Sequence, residues 1–279
     1  MTTTADLAHN PGHRSLWLLL LALGVTLVLQ GCPASGIYRT ARTLEQGESD
    51  FGLSFNATRY TEPDRTVDNF DGTTTKKKGD SIVLPNLIPE LNYHVNVAPN
   101  IDFGGRIGLA SGLLELDVKY RFVGGPDEKL HLALQPAIGY RAMFIVEGAH
   151  VTLPLIATYD LTPSLSATIA PYVSYLNLSA VDKDIGGSFA GTMLTGGAVV
   201  GVAVRSEVFY IMPTVDFSQT VADFSSETTT EEGTAKATTS DTISYLVFGV
   251  SFGWISGKEL KKLKTMDEKL DRIEKKLDQ

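Results

Sequence analysis

The stretch "LELDVKYRF", residues 114–122, sets Leu114, Leu116, Val118, Tyr120 and Phe122 against Glu115, Asp117, Lys119 and Arg121 in strict alternation. Successive side chains of a strand point to opposite faces, so period two predicts a strand with one apolar and one charged side. The same pattern continues on both flanks. Upstream, Leu91, Tyr93, Val95 and Val97 oppose Asn92, His94 and Asn96, and Phe103, Ile107 and Leu109 oppose Asp102 and Arg106. Downstream, Leu130, Leu132, Leu134, Ile138 and Tyr140 oppose His131, Gln135 and Arg141. Followed along the chain, the alternation predicts ten strands, near 50–60, 82–95, 100–109, 113–123, 129–142, 150–160, 164–177, 192–205, 207–218 and 242–254. Most reach the roughly 9–11 residues of a tilted membrane-spanning strand, above the 5–6 usual in soluble sheets.

The connections supply a second test. Those at Asn96–Pro99, Gly124–Glu128, Leu161–Pro163 and around Ser206 are short. On the other side, 61–81, 178–191 and 219–241 are long and polar, 143–149 is intermediate, and Ala110–Gly112 is tight. Short turns at one end and long loops at the other is the asymmetry of outer-membrane barrels, whose short turns face the periplasm. An even strand number returns both ends of the barrel to the short-turn side.

Alternation by itself does not say whether the apolar face meets lipid or a core. The rings give direction: Tyr93, Tyr120, Phe122, Tyr140, Tyr159, Tyr175, Tyr210, Phe217 and Trp254 fall mostly near strand ends, while Leu, Val, Ile and Ala fill the centres. Aromatic side chains at headgroup level are a feature of membrane barrels. Turned that way, the polar faces line a lumen, with Glu90, Asp102, Arg106, Glu115, Asp117, Lys119, Arg121, His131 and Arg141 as the lumen-facing polar set. Ten strands enclose little space, since about eight are nearly filled by side chains and sixteen to eighteen leave an aqueous channel. General porin activity is not expected.

Composition agrees. The formal net charge is −8, and the one basic cluster, Lys76–Lys78, sits among Thr, Gly and Asp, so nucleic acid is not a predicted partner. Residues 16–29, "LWLLLLALGVTLVL", follow His13 and Arg14 and are short of a spanning helix but fit the apolar region of an export signal. Cys32, the only cysteine, stands directly behind that run, and a lone thiol forms no disulfide framework.

Two resemblances follow from these residues. Leu29-Gln30-Gly31-Cys32 resembles a bacterial lipobox, with Gln30 where a small residue is usual. This implies cleavage before Cys32, an acyl anchor on it, and a linker over 32–49. Residues 38–254 resemble bacterial outer-membrane β-barrel proteins in the broad sense, the last strand carrying Leu246, Phe248, Val250, Phe252 and Trp254 on one face. The resemblance implies an all-β fold, an antiparallel up-and-down transmembrane β-barrel of about ten strands (8–12) over 50–254. Its implied place is the outer membrane, lipid-anchored, with both termini periplasmic and membrane lipid as partner.

Beyond Trp254 the character changes. Leu263, Met266, Leu270, Ile273 and Leu277 recur at steps of three and four, with Glu268–Arg272 and Asp271–Lys275 as favourable pairs, predicting a short amphipathic helix over 255–279. It is expected to lie in the periplasm, where it pairs with a copy of itself or with a periplasmic partner, lies along the barrel rim, or stays a loose tail.

No constellation of catalytic type emerges. Gly186–Ala190 lacks the last glycine of a nucleophile elbow, and after the signal only His94, His131 and His150 remain, spaced too widely for a local metal motif. The acids of the 61–81 loop match no calcium-loop spacing, and no cofactor is expected. The sequence therefore supports a barrel with a structural, surface-binding or narrow-channel role. Two alternatives stay open: a lipid-anchored periplasmic β-barrel binding a small apolar ligand, and a barrel enzyme acting on lipid or peptide at its outer rim, with His150 as the residue to test.

Overall fold

The computed structural model describes residues 37–61, 65–68, 74–77, 81–109, 111–125, 127–143, 146–182, 187–230 and 233–257. The expected export signal, Cys32 and residues 258–279 of the helix expected over 255–279 lie outside the described residues, and Ile255 and Ser256 at the start of that expected helix are strand instead. Among the described residues there are thirteen strand segments: β1 (Ser49–Thr61), β2 (Arg65–Asp68), β3 (Thr74–Lys77), β4 (Ser81–Ala98), β5 (Ile101–Gly108), β6 (Leu113–Val123), β7 (Leu130–Leu134), β8 (Ala137–Met143), β9 (Val146–Thr162), β10 (Leu165–Asp182), β11 (Gly187–Arg205), β12 (Phe209–Thr230) and β13 (Gly233–Ser256).

The β2–β3 pair is a separate small hairpin. The rest form a closed antiparallel barrel of ten strands, because β7 and β8 lie end to end between β6 and β9 and count as one. The interruption falls at Gln135-Pro136: Pro136 has no N–H to give a ladder, and its carbonyl instead accepts from Val118 N. Closure comes from β1 pairing β13, from Ser49↔Ser256 to Thr61↔Ser244. With every edge paired, no row of backbone groups is left open.

The outside of this barrel is its apolar face. On β6, Leu114, Leu116, Val118, Tyr120 and Phe122 are all exposed, Leu116 at 50 %, while Leu113, Glu115, Asp117 and Lys119 point inward and are buried, Lys119 at 1 %. A charged interior behind an apolar exterior is the reverse of a soluble barrel. Near the short-turn rim four rings stand in one row over adjacent strands, Tyr93↔Phe51↔Trp254↔Phe209, with Phe51 and Trp254 stacked at 6.3 Å. Tyr210 departs from the girdle. It belongs to the inward register of β12 and is 8 % exposed.

Two of the expected long loops are largely strand. Residues 219–241 continue the β12–β13 ladder to Thr230↔Gly233, and β10 and β11 pair out to Asp182↔Gly187. The β-branched Thr and Val of these stretches suit a ladder, and polarity inverts there. Leu176, Met193, Ala222, Ile243, Tyr245 and Val247 form a buried inner cluster, while Ser179, Thr242 and Ser225 face outward. At the short-turn end, the β4–β5 turn places Asn100 at φ 64, which asparagine tolerates better than most residues.

The segment before β1 is not a linker outside the barrel. Residues 37–44 lie within the lumen, where Ile37, Tyr38, Arg39 and Ala41 are buried, and Glu45–Gly47 are exposed at the short-turn mouth. From mid-barrel, where Ile37 packs with Ile156, Ala170, Tyr172 and Val199, the chain descends to the short-turn rim and enters β1. The physical reason is charge: its arginines meet carboxylates that the barrel wall leaves facing inward.

Candidate functional site

The candidate site is the lumen and the segment that fills it. Glu90, Asp102, Arg106, Glu115, Asp117, Lys119, His131 and Arg141 are buried on inward faces, and Arg121 is partly buried near the short-turn end of β6. Strand register explains which of them meet. Arg106 stands across from Asn92 on β4 and Glu115 on β6. Its guanidinium donates to Glu90 Oε2 and to Glu115 Oε2, both at 3.1 Å. Glu115 also meets His150 Nε2 at 2.6 Å. One turn of the pleat lower, Asp117 accepts from Gln135 Nε2 and faces His94 Nε2, each at 2.9 Å. Lys119 Nζ lies 3.1 Å from Asp102 Oδ2.

Two imidazoles and one phenol share a mounting. His94 is paired across the ladder with Gly104, and a Cβ there would come within 2.1 Å of the ring. His150 lies against Gly139 in the same way, with a Cβ 2.2 Å from the ring, and Tyr210 over Gly253 at 2.1 Å. Glycine on the neighbouring strand opens the space in which an inward ring lies flat on the wall.

The segment 37–48 completes the network with residues that alternation did not single out. Arg39 Nε lies 3.2 Å from Asp50 and its Nη2 lies 3.4 Å from Asp102. Arg42 binds Asp160 through both Nε and Nη2, and Asp160 also faces His131 Nε2 at 3.0 Å. Backbone groups join in: Ala41 N donates to Thr158 Oγ1 at 2.8 Å, Leu44 N to Asp102 Oδ1 at 3.0 Å, and Lys119 Nζ donates to the carbonyls of Thr40 and Arg42. Asn56 donates to the Tyr38 hydroxyl at 3.2 Å. Burial, with Glu90 next, raises the Tyr38 phenol above its ordinary range. Burial, then Arg205 and Arg121, brings Arg42 down to about 10, so it stays cationic at neutral pH.

Asp50, Asp160, Tyr172 and Asp216 also belong to the site. The first two lie at or beside the ends of predicted strands, where alternation is weakest. Asp216 is on the inward register of β12 and accepts from the Tyr172 hydroxyl at 3.1 Å. Arg39 and Arg42 carried no periodic signal at all.

His150 is not at an exposed rim. It is 4 % exposed and engaged by Glu115. Among the described residues no group of three or more His, Cys, Asp or Glu is arranged to hold a metal ion. A cavity of about 650 Å³ opens at the short-turn mouth, with the segment as its inner wall and Arg121, Pro163 and Arg205 at its edge.

No family model matches the chain, and no curated protein matches it in sequence. Its fold is similar to solved membrane barrels. The N-terminal β-barrel domain of Pseudomonas aeruginosa OprF is 12% identical, covers 76% of this chain and 98% of its own, and has a TM-score of 0.32. The outer membrane protease OmpT from Escherichia coli is 10% identical over 77% of this chain and 99% of its own, with a TM-score of 0.34. Ail, the attachment invasion locus protein of Yersinia pestis, is 10% identical over 76% of this chain and 99% of its own, with a TM-score of 0.30.

Proposed function

We infer that this chain is an outer-membrane barrel of the Gram-negative envelope, closed at rest by its own N-terminal segment, with a structural, surface-binding or narrow-channel role and no catalytic step. The observation that carries the reading is the opposition on one strand of Leu116 and Val118, at 50 % and 40 % exposure outside, to Lys119, at 1 % inside. Only hydrocarbon makes such an exterior favourable over so many strands, and a closed ladder is the one β arrangement that leaves no backbone group unpaired in it. The anchor is Cys32, acylated after cleavage of the signal. β13 ends at the short-turn rim, which supports a periplasmic position for the chain after the barrel, whereas the chain before β1 runs from that rim up into the lumen as far as Ile37. The amphipathic stretch with Leu263, Met266, Leu270, Ile273 and Leu277 is then available there to a periplasmic partner or a second copy.

The test uses a Cys32→Ala variant. Extraction by detergent only, with a gel mobility shift on boiling, is the expected result. Release of the variant into the soluble periplasm sinks the spanning reading and leaves the ligand-binding periplasmic barrel. Incorporation of a fatty-acid label that disappears in Cys32→Ala tests the acyl anchor separately. Unchanged membrane lipid and peptide profiles in His131→Ala and His150→Ala strains are expected, and altered profiles favour an enzyme.

A further inference from the structure

The lumen wall is over-supplied with acids. Among the described residues, seven wall carboxylates are buried (Asp50, Glu90, Asp102, Glu115, Asp117, Asp160 and Asp216) against three buried wall cations, Arg106, Lys119 and Arg141. Arg39 and Arg42 of the N-terminal segment reduce that excess, and they do so at Asp50, Asp102 and Asp160, near the short-turn mouth. The segment is held without a ladder. None of residues 37–44 makes a backbone–backbone hydrogen bond to the wall among the described residues; its attachments are side chain to side chain or side chain to backbone. A strand welded into the sheet would leave only by breaking a cooperative row of bonds, whereas this one leaves by exchanging ion pairs.

We propose that residues 37–44 are a tethered plug and that the lumen they vacate conducts small monovalent cations. The inference rests on the barrel spanning a membrane. A lumen that accommodates an extended peptide with its side chains retains, on its departure, a bore at least as wide as that chain. Its wall is then acid-rich, and rings of carboxylates favour cations over anions in a narrow pore. The guanidinium groups of Arg39 and Arg42 occupy the places that permeant cations take when the plug is out, so plug and cation compete for the same carboxylates. The inner apolar cluster of β10–β13 beyond the plug keeps the conductance small.

The experiment uses the mature full-length chain in planar lipid bilayers under a KCl gradient. Ala41 and Thr158 are in hydrogen-bond contact, so Ala41→Cys with Thr158→Cys, in a Cys32→Ala background, provides a lock that a reductant opens. Oxidised protein is expected to be silent, and reduced protein to show small openings whose reversal potential lies toward the cation. Arg39→Gln with Arg42→Gln is expected to lengthen total open time about 25- to 100-fold, since the lost pairing of each arginine is worth roughly a factor of five to ten. No cation current from folded, inserted protein of either reduced or Arg-substituted form overturns the pore. So do anion selectivity and equal current in oxidised and reduced samples. Absence of insertion itself, seen as no shift on boiling, instead removes the spanning reading and the pore with it.

Discussion

The two walls of the lumen are built on different chemistry. On β4–β6 the inward positions carry Glu90, His94, Asp102, Arg106, Glu115, Asp117 and Lys119, bound to one another across the strands. On β10–β12 they are mostly hydroxyls and small apolar groups, with pairs such as Thr195 Oγ1 to Thr220 Oγ1 at 2.7 Å, and Thr152 of β9 to Ser174 at 2.9 Å. The charged wall depends on complete pairing, because each member is desolvated and removal of one strands another. The hydroxyl wall is made of neutral links, each of small net value, so it tolerates loss. The N-terminal segment uses both, laying Ile37 on the second wall and Arg39 on the first.

That contrast can be broken by substitution. The largest effect is expected for Asp102→Ala, which leaves Lys119 and Arg39 without their shared carboxylate and costs about 3–5 kcal/mol. Urea unfolding of the refolded barrel, followed by gel mobility without boiling, measures it; a loss no larger than that of a hydroxyl substitution would mean the charged wall is not a network. On the outer face of the same strand, Leu116→Arg should cost roughly 2–4 kcal/mol in lipid vesicles, the penalty for a cation at the bilayer midplane. Equal stability of this variant and the parent would place that face in water.

A smaller effect belongs to the ring mountings. Gly104→Ala drives a methyl into the His94 ring and toward the Tyr93 carbonyl, and overpacking of this kind costs about 1–3 kcal/mol. Gly196→Ala on β11, where nothing lies within 4 Å, is the control and should leave the midpoint unchanged. The smallest loss is expected on the hydroxyl wall: Thr195→Val should cost about 1 kcal/mol, the net value of one hydrogen bond. A Thr195→Val penalty matching that of Asp102→Ala would erase the distinction between the walls.

Much of this architecture was readable before any coordinates. The clean alternation of Leu114–Phe122 fixed which residues of β6 share a face, and the short connections at Pro99, Pro163 and Ser206 are turns in the structure. Where reading fell short, the reason is local. Residues 219–241 look like a loop because their Thr, Ser and Glu lack apolar alternation, yet strands that rise clear of the apolar band have no need of it. Tyr210 looked like a girdle ring because rings at strand ends usually are, but Gly253 opposite made room for it inside.

The sequence by itself determined the strands, their number and the division of each into an apolar and a polar face, since these follow from side-chain period and turn composition over a few residues at a time. Only the tertiary structure decided that β1 meets β13, that Glu115 serves both Arg106 and His150, and that residues 37–44 fill the lumen. Those are contacts between groups far apart in the chain, such as Arg42 and Asp160, and no local period records them. They arise because a closed ring turns charged groups from distant strands toward one narrow interior, where they meet each other across the bore.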